Sequence, residues 1–292
     1  MNHSPTLAPV TYCLSDEEID RLLREDCPYG DLTTTLLQIG ERSGRMVFTT
    51  RHETVVCCTE EAARLLEKLG CTITALEPSG TLLTKGRPFL EASGDAGPLH
   101  MGWKAALNLL EAASGIATRT YALVRRARKA NPAVEVVATR KVFPGTKAIA
   151  TKAVYAGGAL PHRLGLSESV LVFAQHVAFL GGTDDLWARL PEVKGRAKEN
   201  KIAVEVADQT EALAAVRAGV DMVQVDKMDP DELRALVQTL RETAPGVIIA
   251  AAGGINGENA GTYAATGVDL LVTSAMYWGN PADVELRMEA RI

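Results

Sequence analysis

The chain has 292 residues, with 31 Lys and Arg against 36 Asp and Glu, a formal net charge of -5, and 47% hydrophobic residues. This length is ample for a buried core and suits two domains or one barrel with an appendage, which excludes disorder as the organising principle. A mildly acidic chain without a Lys/Arg run also lacks the basic footprint that nucleic acid or an anionic membrane requires, which leaves small-molecule chemistry.

Aromatics are only 5% while Ala, Gly, Val and Leu abound, a composition that predicts helices packed on a parallel sheet, hence an α/β fold. The five cysteines are odd in number and none has C-x-x-C spacing, so reduced thiols are expected. Residues 1–20 show no charged-then-apolar leader and no run is long enough to span a bilayer, which predicts a soluble, untargeted, cytoplasmic protein.

In chain order, Ser15-Asp-Glu-Glu18 reads as a capping box before a short helix carrying Ile19, Leu22 and Leu23 and ending near Cys27-Pro28. From Arg45 to about Gly94 the pattern predicts a small α+β unit. Its strands are Met46–Thr50, Thr54–Cys58 and Thr72–Leu76, with short ones near Leu82 and Phe89 around a helix from Glu60 to Leu69. Leu99 to Ala130 is helical, with a break predicted at Ser114-Gly115 and a stop at Asn131-Pro132. Beyond residue 133 short apolar strands alternate with amphipathic helices. The strands centre on Val136, Leu171, Val204, Val223, Ile248 and Leu271; the helices include Glu211–Ala218, Pro230–Glu242 and Asn259–Thr266. Repeated βα units mean a parallel sheet, and spacing leaves open whether it is doubly wound or barrel-like.

In such a fold ligands bind at the carboxyl ends of strands, so the residues after each apolar run carry the information. Arg140, Lys141, His162 and Arg163 form a cationic set suited to carboxylates or phosphates, although any one of them alone would also pass as surface charge. Glu205 interrupts Ile202-Ala-Val-Glu-Val206, and Asp226 closes Met222-Val-Gln-Val225. Both carboxylates are expected at the mouth of the sheet, with an internal salt bridge for Glu205 and a helix-cap or loop role for Asp226 as the competing readings. Gly253-Gly254 opens a strand-turn-helix segment whose backbone N–H groups and helix dipole would seat a phosphate. It is neither a Walker A loop nor a dinucleotide fingerprint. No H-E-x-x-H occurs, which argues against zinc.

Taken together, Tyr29-Gly-Asp-Leu-Thr-Thr34, Ala106-Leu-Asn108, Ser114-Gly-Ile-Ala-Thr118, Thr139-Arg-Lys141 with Pro144-Gly145, His162-Arg163 with Gly165-Leu166, His176, Glu205, Asp226 and Gly253-Gly-Ile255 resemble nicotinate-nucleotide pyrophosphorylase, the quinolinate phosphoribosyltransferase family. The match is collinear over nearly the whole chain. It implies an amino-terminal α/β sandwich domain, residues 1–115, on which the carboxyl-terminal end can pack back, and an open α/β barrel of the type II phosphoribosyltransferase kind, residues 116–292. It further implies transfer of phosphoribosyl from phosphoribosyl pyrophosphate to a small heterocyclic acid, with magnesium, through an oxocarbenium-like transition state. A homodimer is implied in which one subunit's amino-terminal domain covers the partner's barrel mouth. Higher assembly is left open. By position, Lys141, Glu205 and Asp226 would be catalytic; Lys104, Arg140, His162, Arg163, Phe173, Gly253, Gly254 and Ser274 would bind substrate; and Glu205 and Asp226 would hold the metal.

The chain also departs from the family. Where the family has Lys-Asp-Asn-His, it has Phe173-Ala-Gln-His176; the Asn before His-Arg is Pro161, the Arg before Ala-Leu-Asn is Lys104, the Ser before Gly-Gly is Ala252, and two threonines are Val142 and Phe143. Loss of a lysine from a dicarboxylate site leaves charge unpaired, so quinolinate is not the expected acceptor. These substitutions resemble a paralogous branch, the ModD proteins linked to molybdenum transport operons. The alternatives are a non-catalytic binding protein for a phosphometabolite or an oxyanion such as molybdate, and an aldolase- or isomerase-type barrel with Lys141 as its only Schiff-base candidate.

Overall fold

The computed structural model describes residues 11–291, so the first half of the segment read as leaderless, residues 1–10, lies outside the described residues. The elements in chain order are α1 (Asp16–Asp26), α2 (Leu32–Leu37), β1 (Ser43–Thr50), β2 (Thr54–Val55), α3 (Thr59–Lys68), β3 (Thr72–Leu76), β4 (Leu82–Leu83), β5 (Pro88–Asp95) and α4 (Ala96–Ala130). They continue with β6 (Glu135–Ala138), α5 (Lys147–Ala156), β7 (Leu160–Pro161), β8 (Val170–Val172), α6 (Ala174–Val177), α7 (Thr183–Arg196), β9 (Ile202–Val206) and α8 (Gln209–Arg217). The last are β10 (Met222–Asp226), α9 (Pro230–Thr243), β11 (Ile248–Ala252), α10 (Ala260–Ala264), β12 (Leu270–Thr273) and β13 (Val284–Ala290). Two units are formed: residues through Tyr121 with Val142–Gly158 and the stretch from Tyr277, and Ala122–Lys141 with Ala159–Met276. The sequence-based division after residue 115 falls inside α4.

In the first unit the expected capping box is present: Glu18 N donates to Ser15 Oγ at 3.3 Å and Ser15 N to the Glu18 carboxylate at 3.0 Å. A four-stranded antiparallel sheet runs in the order β13-β1-β5-β3, so the carboxyl-terminal strand pairs with β1 along its length. Met46, Phe48, Phe89 and Leu90 form its buried core, with Leu286 and Met288 of β13 packed against it. Lys152 of α5 is fully buried, and its Nζ donates to Glu61 Oε2 at 2.6 Å and Glu60 Oε2 at 2.9 Å. Glu61 also accepts from Leu14 N, and Glu60 from Ser79 N and Oγ. A buried cation is tolerated because its carboxylate partners are themselves hydrogen-bonded.

Two local expectations are corrected. Helix α4 does not break at Ser114-Gly115. Glycine is there for close approach: a Cβ on Gly115 would lie 2.9 Å from Ala282 N and from Pro281 Cα. The strand expected over Thr54–Cys58 shrinks to Thr54–Val55, since Val55 N and Cys57 N donate to Thr118 Oγ1 and Ser114 Oγ, each at 3.0 Å, and Cys58 adopts a left-handed φ of 60°. All five cysteines are free.

The second unit is a seven-stranded, wholly parallel sheet in the order β7-β6-β12-β11-β10-β9-β8, with β7 and β8 at its edges, so the barrel is open. Its strands are nearly continuous apolar runs because both faces are covered; in β9 only Glu205 is not buried. Inside the sheet, Val137, Ala250, Ala252 and Val272 form a small apolar cluster. Asp208 caps α8 by accepting from Glu211 N, and Asp229 caps α9 by accepting from Asp231 N, with Pro230 in its first turn. Among the described residues no helix is long and apolar enough to cross a membrane.

Candidate active site

At the carboxyl ends of the parallel strands of the second unit lies a cavity of about 910 Å³. Arg140, Lys141, His162, Arg163, Phe173, Glu205, Asp226, Gly253, Gly254 and Ser274 all line it. Lys104 does not. It sits on α4 in the first unit, its Nζ 5.4 Å from the centre of the Trp103 ring.

The cations occupy the loops after β6 and β7. Thr139 N donates to Thr273 O at 2.9 Å, and Thr139 Oγ1 accepts from Lys141 N at 3.2 Å, which turns the chain so that Arg140 and Lys141 follow the strand into the cavity wall. His162 N donates to Ala138 O at 2.8 Å and fixes the neighbouring loop. Among the described residues, Arg140, Lys141 and Arg163 make no ion pair with a carboxylate. Arg163, only 9% exposed, lies with its guanidinium 5.7 Å from the centre of the Phe173 ring, and Phe173 stacks on His176 at 5.8 Å. Burial, reinforced by Arg140, pushes the Arg163 guanidinium below its ordinary value; burial, reinforced by Arg163, lowers the His162 imidazole. The smaller, coulombic part of both shifts is repulsion between neighbouring cations, Arg140 on Arg163 and Arg163 on His162.

Opposite stand the carboxylates. Among the described residues Glu205 makes no salt bridge; Gln224 Nε2 donates to its Oε2 at 2.9 Å. Burial raises its pKa and Asp226 adds to the rise, while the Gln224 hydrogen bond and Lys141 pull it down. Asp226 is not a helix cap, since Asp229 takes that role. Asp226 Oδ2 lies 3.7 Å from Lys227 Nζ on the exposed rim.

The turn after β11 carries two consecutive left-handed glycines, Gly253 at φ 86° and Gly254 at φ 74°. A Cβ on Gly253 would lie 2.6 Å from Asp226 Oδ1 and 2.7 Å from Lys227 N, so only glycine fits where β10 and β11 end together. The helix starts where expected, at Ala260 with Asn259 as its N-cap, and so stands apart from the glycine turn. Asn256 N donates to Asn259 Oδ1 and Asn259 Nδ2 to Gly254 O, forming a separate turn before the five-residue α10, whose dipole is correspondingly small. Thr273 Oγ1 donates to Ile255 O at 2.6 Å and ties this turn to β12.

Gln224 and Lys227 are among the lining residues that were not picked out from the sequence. Gln224, buried on β10, was visible only as a polar residue at an apolar strand position. Lys227 holds a left-handed φ of 58° while its N–H donates to Ala252 O at 2.8 Å, a strained rim conformation that no local motif announces.

The sequence matches the family model "Quinolinate phosphoribosyl transferase, N-terminal domain" over residues 31–114 and "Quinolinate phosphoribosyl transferase, C-terminal domain" over residues 116–287. ModD of Rhodobacter capsulatus, a pyrophosphorylase by name, is 43% identical over 85% of this chain and 95% of its own length. The nicotinate-nucleotide pyrophosphorylase (carboxylating) of Rattus norvegicus is 30% identical over 92% of this chain and 89% of its own. In fold, the nicotinate-nucleotide pyrophosphorylase of Francisella tularensis superposes with a TM-score of 0.87 at 24% identity, covering 99% of this chain and 100% of that one.

Proposed function

The chain belongs to the quinolinate phosphoribosyltransferase family of enzymes, and from that premise we propose that its barrel cavity transfers phosphoribosyl from phosphoribosyl pyrophosphate to a heterocyclic acid other than quinolinate, in the cytoplasm. The observation that carries this reading is the meeting, in one cavity, of cations that make no ion pair among the described residues, two carboxylates and a Gly-Gly turn. Gly253 and Gly254 seat the 5'-phosphate through the backbone. Arg140, Lys141, His162 and Arg163 hold the pyrophosphate and the acceptor's acid group, arginine giving bidentate geometry and lysine a point charge. Ser274 adds a hydroxyl to the cavity wall.

The reaction joins the acceptor nitrogen to the anomeric carbon while the carbon–oxygen bond to pyrophosphate breaks and its electron pair leaves with that group. Glu205 and Asp226 face the ribosyl group and stabilise the positive charge that develops on it; Lys141 offsets the charge accumulating on the leaving pyrophosphate. Among the described residues no group of three or more His, Cys, Asp or Glu is assembled for a metal. Two hard carboxylates nonetheless fit magnesium, which takes one or two protein oxygens and completes its shell with substrate phosphate and water. When bound, it would neutralise phosphate charge.

The acceptor differs from quinolinate because Phe173 stands where the family has a lysine, and Arg163 packs against its ring. One charged contact is thereby replaced by an apolar wall, which favours a less acidic heterocycle. The setting proposed with it, molybdenum metabolism, is the one implied by the resemblance to the ModD branch. A homodimer is supported by α2 and the residues before it, where Tyr29, Leu32, Leu36 and Leu37 are exposed apolar side chains, 62 to 99% accessible. Lys104 is then available to a partner's site. Pyrophosphate release, assayed with phosphoribosyl pyrophosphate, magnesium and a panel of monocarboxylic nitrogen heterocycles beside quinolinate, tests the reading. Turnover with a monoacid and none with quinolinate is expected, with Phe173→Lys gaining quinolinate binding. Quinolinate as the best acceptor would overturn it.

A further inference from the structure

Gln224 is 4% exposed on β10 and lines the cavity, yet its Oε1 is a fully buried oxygen without a hydrogen-bond partner among the described residues. Such an orphan forfeits the hydrogen bond it would make to water, so a protein without use for it would place an apolar side chain there. The amide cannot relieve itself by turning over. Its Nε2 donates to Glu205 Oε2 at 2.9 Å, and the reversed amide would set two acceptor oxygens against each other. Nor do the neighbouring strands help. In register, Gln224 has Glu205 on one side and Ala250 on the other, and the methyl group of Ala250 can neither fill the space nor donate a hydrogen bond.

We propose that Gln224 is a substrate-positioning residue: its amide nitrogen fixes the Glu205 carboxylate, and its carbonyl oxygen accepts a hydrogen bond from a hydroxyl of the ribosyl group. This rests on the phosphoribosyl reading above. A carboxylate and a neutral carbonyl side by side are two acceptors matched to the two adjacent O–H donors of a vicinal diol. A third carboxylate at this position would repel Glu205 and Asp226, whereas the amide adds an acceptor without adding charge.

The test is calorimetry, in magnesium, of ribose 5-phosphate and its 2-deoxy and 3-deoxy analogues against the wild-type chain and Gln224→Met, with inorganic phosphate as the reference ligand. The wild type should prefer ribose 5-phosphate to at least one deoxy analogue by about tenfold, and Gln224→Met should discriminate less than about threefold there, with phosphate binding retained. Unchanged discrimination in Gln224→Met overturns the role of Gln224 alone. A wild type that binds phosphate but no pentose phosphate overturns the phosphoribosyl reading and this assignment with it. A crystal of the wild type with ribose 5-phosphate gives a check free of any substitution. Gln224 Oε1 within about 3.2 Å of a sugar hydroxyl is expected, and an Oε1 left without a sugar contact refutes the proposal.

Discussion

Lys152 in the first unit and Lys141 in the second face opposite circumstances. Lys152 is fully buried with two glutamates within 2.9 Å, and each of those glutamates holds a further hydrogen bond. Lys141 is exposed beside Arg140, in a cavity it shares with His162 and Arg163, and makes no ion pair among the described residues. A charge satisfied inside the protein serves the fold. A set of like charges left unsatisfied at strand ends keeps its interaction energy for a ligand. If that division is right, substitutions in the two groups should separate stability from binding.

Lys152→Met should have the largest effect. It leaves Glu61 and Glu60 without their cation and should cost about 3–5 kcal/mol in urea unfolding, the usual penalty for a broken buried pair; a loss below about 1 kcal/mol would mean that the network is slack. The same network is pH-sensitive. Burial would raise the Glu60 pKa, but the hydrogen bonds from Ser79 and Lys152 outweigh it and hold the carboxyl below its ordinary range. Its stabilisation is therefore complete above the unfolded glutamate value of about 4.3 and is lost as pH falls further.

Next, Glu205→Ala and Asp226→Ala should each weaken phosphoribosyl pyrophosphate binding about a hundredfold, with unfolding free energy changed by less than about 1 kcal/mol. Comparable binding in both variants would remove the carboxylates from the site. Arg140→Ala and Lys141→Ala should lower pyrophosphate affinity about tenfold each and flatten its salt dependence, while leaving stability unchanged or slightly higher as repulsion falls. A clear loss of stability in either would show that these cations are structural after all.

The smallest effect concerns His162. Its imidazole titrates below the ordinary value of about 6.5 because it is buried beside Arg163. Native stability should therefore decline as pH falls through that ordinary value, since the unfolded chain takes up the proton first. Anion affinity should rise a few-fold over the same interval as the bound state gains a cation. NMR titration of His162 with and without pyrophosphate checks both, and a midpoint unmoved by pyrophosphate would separate His162 from the anion site.

Features that depend on neighbours in sequence were readable from it. Ser15 and Glu18 lie one turn apart and form the predicted cap, and each predicted strand centre of the second unit falls in an observed strand. Glu205 and Asp226 stood out because a carboxylate in an apolar run needs a reason. The alternation of Val284, Leu286 and Met288 with charged residues also encoded β13, although the return of the chain end was taken only from the family resemblance and not from this pattern. What was not legible depends on distant partners. Nothing local ties Lys152 to Glu60 and Glu61, and Gly115 looked like a helix breaker because its reason, the backbone of Asn280–Ala282, lies far along the chain. Gln224 was passed over because a single amide in a strand is unremarkable until its unpaired oxygen is seen.

Calorimetric titration of the wild-type chain with phosphoribosyl pyrophosphate and magnesium tests the central claim most directly. Saturable one-site binding in the micromolar range, weakened about a hundredfold in Glu205→Ala and about tenfold in Arg140→Ala, is the predicted result; no heat of binding at millimolar ligand would contradict the assignment of this cavity to phosphoribosyl chemistry.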